Sequence, residues 1–225
     1  MKNRITTCFL CFFVAVFTLT FSISLPFFIR PFYYLQIEPL NIPAEAGESK
    51  ETIKDAYDDV LDYIINPFGE FKTGVFPHSE SAKAHFADFK ALFMINEALL
   101  LLSGGYIAAV LILKRKGRIS FCHPLKLHPF ALSGILVLTI IISIAALVFI
   151  NFNRAFWIFH RIFFFGKENW LFDTETDPII YALPQAFFMN CVIFIVISIF
   201  IISLLFILLG NFCAYRGQSN EKNRS

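Results

Sequence analysis

Four long apolar stretches constrain this chain more than any other feature. They cover residues 5–28, 92–113, 130–150 and 187–212, and Glu97 is the one charged residue within them. A hydrocarbon core is crossed by a helix of about 20 apolar residues. Because a backbone in lipid must satisfy its own hydrogen bonds, the stretches predict four membrane-spanning helices and an all-α polytopic membrane protein.

The composition agrees with a lipid environment. The chain is 57% hydrophobic and 16% charged, far more apolar than a soluble domain. Its net charge of +2 and its scattered basic residues exclude a nucleic-acid surface. Five cysteines show no zinc-ligand spacing, so we predict no metal site and no cofactor.

The placement of Lys and Arg predicts the orientation in the membrane. Basic residues concentrate at the N-terminus, in the loop 114–129 and in the tail 213–225, which we therefore place in the cytoplasm. The segments 29–91 and 151–186 carry 9 basic and 15 acidic residues, and we place them outside. The first membrane helix then occupies residues 1–28, both termini are cytoplasmic, and the two external segments form an extracytoplasmic cap.

The first external segment contains the pattern of an amphipathic helix. Ser49 is a candidate N-cap, and Asn66 with the following proline is a stop signal. Between them, apolar residues recur at spacings of three and four, which predicts one buried face: Ile53, Ala56, Tyr57, Val60, Leu61 and Ile64. Residues 68–76 predict a short hairpin or a pair of turns, and residues 79–90 predict a helix that continues into the second membrane helix.

Two histidines on the predicted external side are candidates for acid–base chemistry. His85 lies about two turns before the second membrane stretch, with Asp88 on the same helical face, where a carboxylate would orient the ring or raise its basicity. His160 lies in an aromatic stretch, and a titratable ring there costs free energy unless it has a partner or a function. An aromatic belt at the lipid headgroups, with structural histidines, is the competing interpretation.

Two ordered motifs resemble a known family. They are His85-Phe-Ala-Asp88-Phe-Lys90 before the second span, and, before the fourth, Phe159-His160, Phe163-Phe164, Trp170-x-Phe172, Asp177, Ile179-Ile180 and Pro184. The predicted cap helix adds Tyr57, Leu61 and Tyr63. Together these residues resemble the bacterial lipoprotein intramolecular transacylase family over nearly the whole chain.

The resemblance implies a multi-pass enzyme of the bacterial cytoplasmic membrane with an extracytoplasmic active site. Its substrate would be a lipoprotein whose N-terminal cysteine bears a diacylglyceryl thioether. Membrane lipids would surround the enzyme as its other partners. It would move the sn-2 acyl chain onto the α-amine of that cysteine, giving a lyso-form lipoprotein. His85 and His160 would be catalytic and Asp88 supporting, with substrate contacts from Tyr57, Tyr63, Phe163, Phe164 and Trp170.

The chemistry of this transfer suits such a site. Attack of the amine on the ester closes an eight-membered ring, which a rigid aromatic pocket would favour by holding amine and ester together. The amine loses a proton and the glyceryl oxygen gains one, which calls for two groups such as histidines. The sequence leaves open which histidine is the base, and a non-catalytic adaptor that binds a partner through its cap remains the alternative function.

Overall fold

The structure is a computed structural model that describes the backbone of residues 4–222 and the side chains of residues 4–146 and 148–215. Within this range it has nine α-helices and a short 3-10 turn at Pro124–Lys126. The helices are α1 (Arg4–Phe28), α2 (Arg30–Tyr34), α3 (Ile42–Ala46), α4 (Lys50–Ile65), α5 (Glu80–Arg115), α6 (Pro129–Ile150), α7 (Phe152–Phe163), α8 (Ile179–Ala182) and α9 (Gln185–Lys222). The predicted all-α class is confirmed.

Four of these helices, α1, α5, α6 and α9, are long and apolar enough to cross a membrane, as predicted. Helix α5 has 36 residues, about 54 Å of helix, whereas a hydrocarbon core is only about 30 Å thick. Its first turns carry Glu80, Lys83, Asp88 and Lys90. The apolar part from residue 92 onwards is long enough to span a membrane by itself, and we expect the charged turns before it to lie outside the hydrocarbon.

Helix α9 continues beyond the predicted end of the fourth span. The predicted tail, residues 213–225, is helical as far as Lys222, because its backbone hydrogen bonds continue after the apolar stretch ends. Residues 1–3 and 223–225, which belong to the predicted cytoplasmic ends, lie outside the described residues.

The chain divides into two compact units. The first unit comprises the N-terminal residues up to Ser22, Glu97–Ala146 and the residues from Val196 onwards, and the second comprises Ile23–Asn96 and Leu147–Ile195. The second unit thus holds both long segments that the sequence places outside the membrane.

The first unit is held by close packing between helices. A Cβ added to Gly134 of α6 would lie 2.6 Å from the Ser203 carbonyl oxygen of α9, and one added to Gly210 would lie 2.6 Å from the Ala131 nitrogen. Small residues that bring two backbones together are typical of helix packing in lipid. A buried cluster completes the interior of this unit: Leu10, Val14, Val110, Phe121 and Phe130.

Helix α4 organises the second unit as the sequence predicts. Ser49 is its N-cap, and the hydroxyl oxygen accepts a hydrogen bond from the Thr52 amide at 3.2 Å. The six apolar residues of the predicted face are all buried. The Tyr57 ring of this face stacks on Tyr33 at a centroid distance of 3.8 Å, and the Tyr33 hydroxyl donates to the Ala182 carbonyl at 2.6 Å.

The segment after α4 forms a pair of turns, at residues 67–68 and 74–75, which was one of the two predicted alternatives. Gly74 has φ +60, and a Cβ at this position would lie 2.9 Å from the Ala56 Cβ. Its amide donates to the Asp59 carboxylate at 3.2 Å. Glycine is therefore required here, because the turn packs directly on the backbone of α4.

Candidate active site

His85 lies in the second turn of α5, and the start of that helix is firmly fixed. The Ser79 hydroxyl oxygen accepts from the Ala82 amide at 3.0 Å and so caps the helix. The carboxylate of Asp177, which is 3% exposed, accepts from the Ser79 amide at 2.6 Å and from its hydroxyl at 3.0 Å. Thr176 donates a further hydrogen bond to the same carboxylate at 3.0 Å. These contacts fix the N-terminus of α5 and so the position of His85 in the structure.

His160 lies in the last turns of α7, which Asn151 caps by accepting a hydrogen bond from the Arg154 amide at 2.9 Å. The histidine is 7% exposed, and its Nδ1 is 2.8 Å from the Phe156 carbonyl oxygen. A carbonyl only accepts hydrogen bonds, so Nδ1 carries the proton. The Nε2 atom of the neutral ring is then left with a free lone pair.

The two histidine rings come together within the second unit. Their centroids are 5.7 Å apart and their planes differ by 28°. At this separation both rings lie within direct or single-water reach of one substrate centre. Five aromatic rings have centroids within 5.5 Å of one or both histidines and enclose the pair: Phe156, Phe159, Phe164, Trp170 and Phe172.

Burial keeps both rings neutral at pH 7. The Nδ1 atom of His85 is buried and has no hydrogen-bond partner in the described part of the chain. Burial, aided by the neighbouring His160, lowers the pKa of His85 to about 4. Burial also lowers the pKa of His160, although the hydrogen bond to the Phe156 carbonyl acts in the opposite direction. An unsatisfied buried ring nitrogen is uncommon, and it marks a position where a ligand could bond.

Asp88 hydrogen-bonds to groups other than His85, but its charge acts to raise the pKa of His85, which is one of the two predicted effects. Its Oδ1 accepts from the Lys167 ammonium at 2.5 Å, and its Oδ2 accepts from the Asn169 amide at 3.0 Å. The carboxylate points to the loop after α7, so it acts on His85 only through its charge. Burial acts to raise the pKa of Asp88, but the hydrogen bonds from Lys167 and Asn169 outweigh it, and the pKa is lowered.

The predicted substrate-contact residues separate into two groups. Phe164 and Trp170 contact the histidine pair, whereas Phe163 is 53% exposed and packs on Phe159. Tyr57 is 5% exposed and belongs to the buried face of α4, so its ring packs in the core, and its substrate contact stays a prediction. Tyr63 packs on a different ring, Phe71, at 5.2 Å, and a lysine ammonium lies 4.1 Å above it.

Sequence reasoning missed several residues around the pair. Lys167 and Asn169 stand out as polar residues in an aromatic stretch, which was an available signal for a partner of Asp88. The contact between Ser79 and Asp177 joins positions 98 residues apart and has no local signal. Within residues 4–222, no three His, Cys, Asp or Glu residues are grouped to hold a metal ion.

Comparison with known proteins identifies the family. Residues 8–188 match the family model described as lipoprotein intramolecular transacylase Lit. The chain belongs to the lipoprotein intramolecular transacylase family. It is therefore a membrane-integral acyltransferase, and the activity that defines this family is acyl transfer within a lipoprotein.

Solved structures of one relative are similar over almost the whole chain. The membrane integral lipoprotein intramolecular transacylase Lit from Bacillus cereus superposes with a TM-score of 0.82 and 25% identity, covering 98% of this chain and 97% of that chain. A variant of that protein with a histidine replaced by arginine superposes with a TM-score of 0.79 and 24% identity, covering 96% of this chain and 93% of that chain. A variant with a histidine replaced by alanine superposes with a TM-score of 0.76 and 25% identity, covering 98% of this chain and 95% of that chain. Among curated proteins, none matches the chain significantly.

Proposed function

We propose that His85 and His160 are the catalytic pair of this transacylase, which moves the sn-2 acyl chain of a diacylglyceryl lipoprotein onto the α-amine of its N-terminal cysteine. The observation that carries the proposal is the 5.7 Å separation of the two rings inside an aromatic enclosure. One substrate centre can reach both rings, and the aromatic walls exclude water and restrict the substrate. The adaptor alternative is set aside, because the chain belongs to a family of enzymes.

The hydrogen bond of His160 supports its role as the general base. With Nδ1–H donated to the Phe156 carbonyl, Nε2 accepts the proton that the attacking amine loses. His160 then returns this proton to the glyceryl oxygen as the carbon–oxygen bond of the ester breaks. The amide bond has formed by this point, so the chain passes from oxygen to nitrogen with no net change in protons.

His85 is suited to stabilise the oxyanion of the tetrahedral intermediate. A neutral imidazole has one N–H, and a donor aimed at a developing negative charge is worth most in a site without water. The low pKa of His85, caused by burial, keeps it neutral and able to donate without first binding a proton. The enclosing rings hold the amine and the ester in the geometry that closes the eight-membered ring.

An isotope experiment tests the transfer. A diacylglyceryl lipopeptide with a labelled sn-2 chain is mixed with unlabelled lipopeptide, unlabelled phospholipid and the purified protein. We expect labelled molecules to acquire a labelled N-acyl chain, without exchange between molecules. Unlabelled N-acyl chains on labelled molecules would mean an external donor, and N-acylation of an analogue with an ether in place of the sn-2 ester would contradict the mechanism.

The site is proposed to face outwards from the bacterial cytoplasmic membrane. The excess of acidic over basic residues in the two long segments supports this orientation. The test is labelling of single cysteines in intact cells with a membrane-impermeant maleimide, in a cysteine-free background. We expect Glu48→Cys to react and Lys116→Cys to react only after lysis, and the reverse pattern would overturn the orientation.

A further inference from the structure

The attacking amine of the substrate reaches the enzyme as an ammonium group. The ordinary pKa of an α-amino group is about 7.7–8.0, so its cationic form dominates below neutrality. A site that recognises it therefore needs a negatively charged group close to the histidine pair. Asp58 and Asp62 bind Arg30, and Asp177 is buried against Ser79. Asp88 follows His85 by one helical turn and hydrogen-bonds to the loop after α7 that carries rings around the histidine pair, which makes it the candidate.

Asp88 is contiguous with the enclosure around the histidines. Both of its hydrogen-bond donors, Lys167 and Asn169, lie on the loop 164–172. The same loop provides Phe164, Trp170 and Phe172, which contact the histidine rings. The Trp170 indole donates to the Lys167 carbonyl at 3.1 Å, so the two sets of residues belong to one local structure.

The group that occupies Asp88 in this structure is itself a primary ammonium. The Lys167 ammonium lies 2.5 Å from Oδ1, and its side chain is 51% exposed while that of Asp88 is 26% exposed. An ion pair with this exposure contributes little to stability and exchanges readily. The lysine follows Gly166, which has φ +74 and open space around it, so the loop has room to move the side chain away.

We propose that Asp88 binds the ammonium group of the substrate's N-terminal cysteine, and that Lys167 occupies this carboxylate when no substrate is present. The inference rests on the proposed function for the identity of its ligand. The substrate ammonium replaces Lys167 at Oδ1, while Asn169 continues to donate to Oδ2 and keeps the carboxylate oriented. Before the attack the ammonium releases one proton to bulk solvent, and the neutral amine leaves Asp88 for the histidine pair. Transfer that starts from the ammonium form therefore releases one proton overall. Asp88 is then a specificity residue, which distinguishes a free amine from an acylated one.

The same exchange accounts for release of the product. Once the amine has become an amide, it carries no charge and no longer binds a carboxylate strongly. Lys167 then returns to Asp88, and the product is displaced. Binding and release thus follow from one difference between substrate and product, namely the positive charge on nitrogen.

A binding experiment tests the proposal. The ligands are two unreactive lipopeptides with an ether in place of the sn-2 ester, one with a free α-amine and one N-acetylated. Their affinities are measured at pH 6.5 for the wild-type protein, Asp88→Asn, Lys167→Met and the control Lys83→Met, which removes an exposed ion pair with Glu80 on the same helix. We expect the wild type to prefer the free amine by about tenfold. The preference should vanish in Asp88→Asn, grow several-fold in Lys167→Met and stay unchanged in Lys83→Met.

Two results would overturn the proposal. If Asp88→Asn keeps the preference for the free amine, the ammonium binds elsewhere. If Lys167→Met loses affinity for the free amine as Asp88→Asn does, the ion pair fastens the loop and does not exchange. Affinity for the N-acetylated ligand reports whether each variant is folded. Transfer by the wild type from a substrate that keeps the sn-2 ester is measured as well. If this transfer fails, the proposed function is refuted. If it succeeds but the binding results do not match, only the recognition site is refuted.

Discussion

The two units of this protein are stabilised in different ways. In the first unit, hydroxyl groups such as that of Thr18 bond to a carbonyl one turn earlier, and helices approach at Gly134 and Gly210. In the second unit, polar groups join segments far apart in sequence, as Tyr33 does with Ala182. The first unit also has hydrogen bonds between distant segments, such as that from the Cys122 amide to the Thr7 hydroxyl at 3.0 Å, so what distinguishes it is the close approach of helices at glycine. The proposed chemistry lies in the second unit.

The largest effect is expected from the proposed catalytic pair. His85→Ala or His160→Ala should reduce the rate of N-acyl transfer by about 10²–10⁴-fold, the usual contribution of a positioned acid or base. The matched control is His123→Ala, an exposed histidine of the first unit, which should remain within about twofold of the wild type. Initial rates with purified protein and a diacylglyceryl lipopeptide measure this. Wild-type rates in either variant would remove that histidine from the pair.

Asp177→Ala tests the polar contacts of the second unit. It leaves the Ser79 amide without its acceptor, which should cost about 1–3 kcal/mol of unfolding free energy. The amides at the start of α5 should then exchange hydrogen faster, and transfer should slow because His85 is less well placed. In the first unit, Ser133→Ala removes a hydroxyl that donates to the Pro129 carbonyl at 2.8 Å and to the Cys11 carbonyl at 3.2 Å, and it should cost only about 1 kcal/mol. If the amide hydrogens at the start of α5 exchange at the same rate in Asp177→Ala as in the wild type, Asp177 does not stabilise the start of this helix.

Gly134→Ala tests the packing of the first unit. The added methyl would lie 2.6 Å from the Ser203 carbonyl oxygen, and overpacking of this kind costs about 1–3 kcal/mol. Gly105→Ala is the control, since no atom lies within 4 Å of the added Cβ. We expect Gly134→Ala to lower the melting temperature in detergent while the rate per folded molecule stays near the wild type. A loss of rate in fully folded Gly134→Ala would show that the two units are coupled.

The remaining expected effect is a dependence of stability on pH. The pKa of His85 is lowered from 6.5 to about 4, so between these values the unfolded chain binds a proton that the folded chain does not. Stability from the neutral ring is complete above pH 6.5 and is lost as the pH falls towards 4. We expect the melting temperature to fall over this interval, and to fall less in His85→Asn. If the melting temperatures of the wild type and of His85→Asn fall equally with pH, His85 is not the group responsible.

Much of the fold could be predicted because its signals are local. The six buried residues of α4, with its cap at Ser49, follow from spacing and capping alone. The meeting of His85 and His160 follows from topology, since each lies shortly before or after a membrane stretch on the same predicted side.

The remaining features depend on tertiary packing. Asp88 follows His85 by one turn, but the choice between His85 and Lys167 as its partner depends on where the loop 164–172 lies. Tyr57 could have faced either a substrate or the core, and the stack with Tyr33 decides this. The apolar spacing of α4 does predict Tyr57 on the buried face, whereas the partner of Asp88 has no signature in the residues next to it.

The contact between Ser79 and Asp177 has a consequence for the order in which the enzyme is made. A ribosome synthesises residue 79 long before residue 177, and the whole of α6 lies between them. Until the later residue emerges, the helix that carries His85 has an incomplete N-terminal cap. The proposed reactive centre is therefore complete only after residue 177 has been synthesised, because a shorter nascent chain lacks the acceptor of the Ser79 amide and does not yet hold His85 in place.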